Sequence, residues 1–189
     1  MKKIKLTQGK EALVDDCDHA YLVSTGPWHF HSVGKGGYAA HTGPRPEAKR
    51  TYMHKEVAKR KGLLGRVDHK NKNKLDDRRQ NLRPATRSQN KANGDLYANN
   101  TQGRKGVYKD GTRLKAFIRR GGKGKHLGFY DDTKIGKIQA AFAYDVAALK
   151  CFKRHAVLNT VGHLLDADTK KRIKQDVLRR LKDWNYAQL

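Results

Sequence analysis

Acidic residues are scarce in this chain: 18 Asp and Glu stand against 42 Lys and Arg, a formal net charge of +24 over 189 residues. A deficit of that size points to a polyanionic partner, and nucleic acid is the commonest one. The excess is +3 over residues 1–50, +9 over 51–94, +9 over 95–160 and +3 over 161–189. Charge gathered in the middle of the chain disfavours the ribosomal and membrane-surface classes, whose basic residues more often lie in tails or along amphipathic helices. Long apolar runs are missing too. No stretch approaches the roughly 18 apolar residues of a membrane span. The start M-K-K-I-K-L-T-Q-G lacks the apolar core of a signal peptide, so the chain is expected in the cytoplasm with no membrane partner. Cysteine is nearly absent. Cys17 and Cys151 form no C-x-x-C pair, which argues against a structural zinc knuckle, so no zinc is expected, and leaves a disulfide unsupported; both read as small buried hydrophobes.

What is present is organised around V-D-H-K-N-K-N-K-L-D-D-R-R-Q-N-L-R-P-A-T-R-S-Q-N-K-A-N-G, from Val67 to Gly94. Gly65 to His69 reads as a short strand, a polar loop follows, and Asn81-Leu82-Arg83 reads as a second strand. Pro84 interrupts that run by removing a donor. Thr86 with Gln89 three residues on is a capping-box pattern, which predicts a helix from Arg87. In a strand, loop, strand, helix outline, His69, Asn81 and Asn90 can converge. A carboxylate (Asp68) and an amide oxygen are hard ligands suited to Mg²⁺ or Mn²⁺, and a neutral imidazole takes a proton from water near pH 7. The bland alternative is a polar loop and a solvated helix start.

The stretch resembles the ββα-metal motif of HNH endonucleases, in the His-Asn-Asn variant of phage and intron homing enzymes. N-L-R and T-R-S-Q-N stand where that family has them. The resemblance implies His69 as general base, Asp68 and Asn90 as holders of one divalent ion, Mg²⁺ or Mn²⁺, and Asn81 as a brace for the loop that aims His69. It also implies a place for His54 beside the scissile phosphate, since a histidine recurs just ahead of the Asp-His pair; packing or capping is the alternative for that residue. Arg83 and Arg87, within the motif, are further expected DNA contacts. Lys72 departs from the family, which commonly has Gly there.

Beyond the turn-rich stretch 95–103, a linker by composition, K-G-V-Y-K, R-L-K-A-F-I-R-R and K-H-L-G-F-Y are three β-type runs separated by the hairpin turns D-G-T and G-G-K-G. Asp132 or Thr133 caps a helix on which Gly136, Ala140, Ala143, Ala147 and Cys151 form a stripe small enough to lie against a sheet. The other sheet face then alternates basic and aromatic residues, a surface suited to phosphates and base edges. This unit resembles the AP-two DNA-binding domain of plant ethylene-response factors, also found in phage homing nucleases. Gly106-Val107, Ala116 to Arg119, Leu127-Gly128-Phe129, Ala143 to Ala148 and Ala156 to Asn159 carry the likeness. It implies a sheet that enters the major groove of double-stranded DNA, with Lys105, Tyr108, Lys109, Arg113, Lys115, Phe117, Arg119, Lys125 and His126 as contacts. Plant members have Arg at the place of Tyr108 and Trp at the place of His126, so their target does not carry over.

Residues 1–50 read as a strand-rich support. Asp15, Asp16 and Asp18 suit either a metal or, more simply, a helix start. Residues 161–189 hold a helix with Ile173, Val177, Leu178, Leu181 and Trp184 at amphipathic spacing, read as packing on the core or, more sharply, as a dimerising or DNA-backbone helix. The expected class is therefore α+β: support 1–50, ββα-metal module 51–94, linker 95–103, a three-stranded antiparallel sheet on one helix at 104–160, and a C-terminal helix. The expected function is a metal-dependent, site-specific DNA endonuclease, monomer or dimer. The alternative is a non-catalytic DNA-binding regulator with a decayed nuclease module.

Overall fold

The computed structural model describes residues 1–34, 36–44, 46, 48–182 and 184. Small antiparallel sheets and five α-helices make the chain α+β among these residues. It divides into two compact units, Met1–Thr86 and Arg87–Leu189. The division falls ahead of the helix at 87, so the stretch 95–103 lies inside the second unit.

In the first unit, β1 (Lys2–Lys5) and β2 (Glu11–Val14) form a hairpin. Its turn is closed by Leu6 N–H donating to Lys10 O at 2.8 Å, with Gln8 and Gly9 left-handed. The acidic cluster then opens α1 (Asp16–Ser24), where Asp16 and Asp18 meet the positive end of the helix dipole. Three strands follow, β3 (His29–Val33), β4 (Gly36–Thr42) and β5 (Arg50–Tyr52), antiparallel in that order. Next come α2 (Met53–Arg60) and a two-stranded ribbon of β6 (Val67–His69) and β7 (Leu82–Pro84). The core is built from Ile4, Leu6, Ala12, Val14, Leu22, Trp28, Ala39, Met53, Val57 and Leu82. Trp28 satisfies its buried indole N–H on Leu22 O at 2.7 Å.

The second unit begins with α3 (Arg87–Asn93), which starts at the residue the sequence predicts. Strands β8 (Val107–Asp110), β9 (Arg113–Arg120) and β10 (Lys123–Asp131) form an antiparallel sheet with β9 in the centre. Gly121 and Gly122 both have positive φ, as a two-residue turn between right-twisted strands requires. Helix α4 (Lys134–Phe152) is capped by the Thr133 hydroxyl, which accepts from Gly136 N–H at 3.0 Å. The small stripe Gly136, Ala140, Ala143, Ala147 and Cys151 is buried. Gly136 is obligatory, because a Cβ there would lie 2.1 Å from Asp131 O. Helix α5 (Ala167–Lys182) buries Ile173, Val177 and Leu181 in the same core, while Leu178 is exposed. Cys151 is buried as expected, but Cys17 is exposed, because it falls on the outer side of α1.

Candidate functional site

The ribbon β6/β7 sets the first-unit site. Asp68 and His69 are consecutive in β6 and meet different partners. Asp68 lies directly across from Arg83, whose Nε and Nη2 reach its Oδ2 at 2.9 and 2.8 Å. Both are buried, and Arg83 is therefore not a surface DNA contact: its guanidinium neutralises a carboxylate that burial would otherwise penalise.

His69 faces a cluster of rings. His54, the second residue of α2, places its imidazole edge-on to His69 with centroids 5.3 Å apart. Tyr38 of β4 packs against both, at 5.1 Å from His54 and 6.2 Å from His69. Tyr52 stacks on His54 at 5.6 Å. Burial, reinforced by the neighbouring His69, drives the His54 imidazole down to about 3, so it is neutral at physiological pH.

The residue the sequence did not reveal is Asp77. Its Oδ1 lies 2.9 Å from Nε2 of His69, and the carboxyl is fully buried. Burial raises its pKa, against the opposing pull of His69. Its position is dictated from a distance: Leu13 of β2 donates its N–H to Leu75 O and accepts from Asp77 N–H, both at 2.8 Å, which anchors the loop between the ribbon strands to the hairpin. The only local hint was the doubled acid in L-D-D; both members are buried, and nothing in that pair says which one meets His69.

Asn81 takes the bracing position. Its Oδ1 accepts from Asn71 N–H at 3.0 Å and its Nδ2 donates to Asp76 O at 2.7 Å, tying both ends of the loop together. Asn71 and Asn73 each accept from the N–H two residues on, forming consecutive Asx turns. Lys72 sits between them at φ +66°, the left-handed conformation that a glycine would adopt freely. The acidic cluster also serves this loop. Asp18 is buried and paired with Arg60 and Arg79, and Asp15 accepts from Arg79 N–H at 2.6 Å. Arg79 holds the Asp18 carboxyl below the ordinary carboxylate range. Asn90 and Arg87 lie on α3 in the second unit, half-buried and exposed respectively. The structure thus brings together His54, His69 and Asp77, sets Asp68 on Arg83, and uses Asn81 as a loop brace. Asp68 supplies a buried carboxylate, a hard oxygen donor of the kind Mg²⁺ and Mn²⁺ take, with Oδ2 already shared with Arg83.

In the second unit, Leu114, Ala116 and Ile118 of β9 are buried and Arg113, Lys115, Phe117 and Arg119 point the other way. Directly opposed residues share a face, so the open face also carries Tyr108 and Asp110 of β8 and His126, Phe129 and Asp131 of β10. Arg113 stacks on Phe129 at 4.6 Å, and the Arg119 guanidinium lies 6.0 Å from the Phe117 ring. His126 packs 4.4 Å from Phe129, and burial lowers its pKa. Lys115 is paired with Asp110 at 2.9 Å. Phe129, exposed on this face, was missed because a bulge between His126 and Gly128 inverts the alternation of β10.

Three expected contacts belong elsewhere. Lys105 Nζ donates to Ala92 O and Gly94 O, each at 2.6 Å, and so closes the C-terminal end of α3. Lys109 is opposite Leu114 and Lys125 opposite Ile118, which sets both on the helix side of the sheet; Lys109 is paired with Asp132 at 2.8 Å.

No family model, curated protein or solved structure significantly matches this chain. No helix among the described residues is long and apolar enough to cross a membrane.

Proposed function

We propose that the protein is a metal-dependent, site-specific DNA endonuclease in which the first unit carries the chemistry and the sheet of the second reads the target. The observation that carries this reading is the buried His69–Asp77 pair at 2.9 Å, beside the Asp68 carboxylate on the same strand. A carboxylate on one ring nitrogen fixes the imidazole's tautomer and orientation and stabilises the imidazolium that forms when it accepts a proton. In this reading the β6/β7 ribbon and its loop belong to the ββα-metal module that the sequence resembles, and His69 takes a proton from the attacking water. Asp68 would hold one Mg²⁺ or Mn²⁺, which supplies Lewis-acid stabilisation of the phosphate and leaving oxygen. Asn81 keeps the loop, and with it Asp77, in place. Neutral His54 lines the site and has a nitrogen for hydrogen bonding to a phosphate oxygen. The Arg and aromatic side chains on the open sheet face, with the net charge of +24, support a nucleic-acid duplex as the substrate.

The Asp68–Arg83 ion pair favours a second reading, a DNA-binding protein that does not cut, because a guanidinium occupies one side of the Asp68 carboxylate. Incubation with duplex DNA spanning its own genomic locus, with Mg²⁺ or Mn²⁺, separates the two. Discrete ends at one sequence, abolished by EDTA, support the endonuclease. Site-specific binding with intact DNA supports the regulator.

A further inference from the structure

The side chains of His54, His69 and Asp77 place a coordinating atom each within 4.8 Å of the others. Two of the buried polar atoms in this cluster, His54 Nδ1 and Asp77 Oδ2, have no hydrogen-bond partner. Asp77 is fully buried. Leaving such an oxygen unsatisfied costs about 1–3 kcal/mol, so the pocket is short of a positive partner. Two imidazole nitrogens and one carboxylate oxygen are the donor set of an open three-ligand site for Zn²⁺ or Co²⁺, and a poor one for Mg²⁺. Donors around a tetrahedral ion at ~2.0–2.1 Å lie about 3.3–3.5 Å apart. The cluster reaches that spacing by a movement of about an ångström, and His69 and Asp77 are already closer than that. The rings of Tyr38 and Tyr52 wall the site on the His54 side and limit its access to bulk water.

We propose that His54, His69 and Asp77 form a binding site for one borderline transition ion of the Zn²⁺ or Co²⁺ type, separate from the hard-ligand position on Asp68. The absence of C-x-x-C excludes a cysteine knuckle and leaves this His-His-Asp site untouched. Binding takes the lone pair of His69, so an ion here blocks proton transfer where Mg²⁺ on Asp68 does not. That inhibitory consequence rests on the nuclease reading; the binding itself does not.

The test is titration of the metal-free full-length protein with Co²⁺ in the absence of DNA, followed by visible absorption. One equivalent is expected to give the intense ligand-field bands of a four-coordinate site, and Zn²⁺ to bleach them, while a hundredfold excess of Mg²⁺ leaves them unchanged. His54→Gln and Asp77→Asn should each weaken Co²⁺ binding by more than about 100-fold, the upper end of what losing a merely supporting contact costs. Asp68→Asn should retain the bands. Folding of each variant is checked by circular dichroism. Because an altered variant can fail to fold, a second readout uses the wild type alone: Zn²⁺ is expected to shift the ring resonances of His54 and His69 and of no other histidine. No stoichiometric Co²⁺ binding, or binding lost in Asp68→Asn and kept in His54→Gln, overturns the proposal. A protein that binds Co²⁺ in this way but cuts no DNA keeps the proposal and overturns the nuclease reading instead.

Discussion

His69 Nε2 and Asp77 Oδ1 lie 2.9 Å apart in a buried pocket, and Asp77 is held there by its own backbone, whose N–H donates to Leu13 O on a different sheet. The imidazole is thus aimed by the N-terminal hairpin as much as by its own strand. Replacing Asp77 by Asn preserves shape and removes the charge that stabilises the imidazolium. We expect Asp77→Asn to lower the cleavage rate constant by about 10- to 100-fold with KM nearly unchanged, less than loss of the base itself. Steady-state kinetics check this; an unchanged rate would detach Asp77 from the chemistry.

His54 gives the first unit a pH dependence of definite sign. The folded imidazole stays neutral down to about 3, whereas the unfolded one takes up a proton near 6.5. Between those values the unfolded state binds more protons, so stability falls as pH falls, with a slope of about 1.4 kcal/mol per pH unit from this group. Asp77, whose pKa is raised by burial, contributes in the opposite direction above 3.8. Urea unfolding at pH 6.5 and 4.5 is expected to show a steeper loss in the wild type than in His54→Phe. Parallel slopes would mean that His54 is protonated in the fold.

Lys72 at φ +66° occupies a conformation that costs an L-residue roughly 1–2 kcal/mol, while glycine there adds unfolded-chain entropy worth roughly 0.5–1 kcal/mol. Lys72→Gly should therefore stabilise the protein by about 0.5–1 kcal/mol in thermal or urea unfolding. A loss of stability would show that the Lys72 side chain contributes more than its backbone costs.

On the second unit, Lys105 and Arg119 should behave differently although both are basic. Lys105→Met removes the closure of α3 and should cost about 1 kcal/mol of stability while leaving the salt dependence of DNA binding unchanged. Arg119→Ala should leave stability alone, cost roughly 1–3 kcal/mol of specific binding and relax selectivity at one or two base pairs. Salt titration and site selection on both variants decide the matter. A reduced salt slope for Lys105→Met would return that residue to the DNA surface.

Local signals in the sequence located the elements of the site. Pro84 stops β7, the Thr86 and Gln89 spacing starts α3 at Arg87, and alternation along Arg113–Arg120 separates the two faces of β9. What stayed hidden depends on contacts between distant segments. Asp77 is inward because β2 pairs with its loop, Lys105 is a helix closure because α3 ends beside it, and Asp68 meets Arg83 through strand register. The bulge at His126/Gly128 changes which residues of β10 face outward, and no propensity marks it beyond Gly128 itself. The resemblance implies Lys109 and Lys125 as DNA contacts, whereas register sets them on the helix side.

The central claim, that His69 serves the chemical step on DNA, is tested most directly by comparing His69→Ala with the wild type on the same cognate duplex in Mg²⁺. Single-turnover cleavage and equilibrium binding are measured side by side. Cleavage is expected to fall by about 10² to 10⁴ with affinity for the site unchanged. Cleavage by His69→Ala at the wild-type rate would contradict the claim.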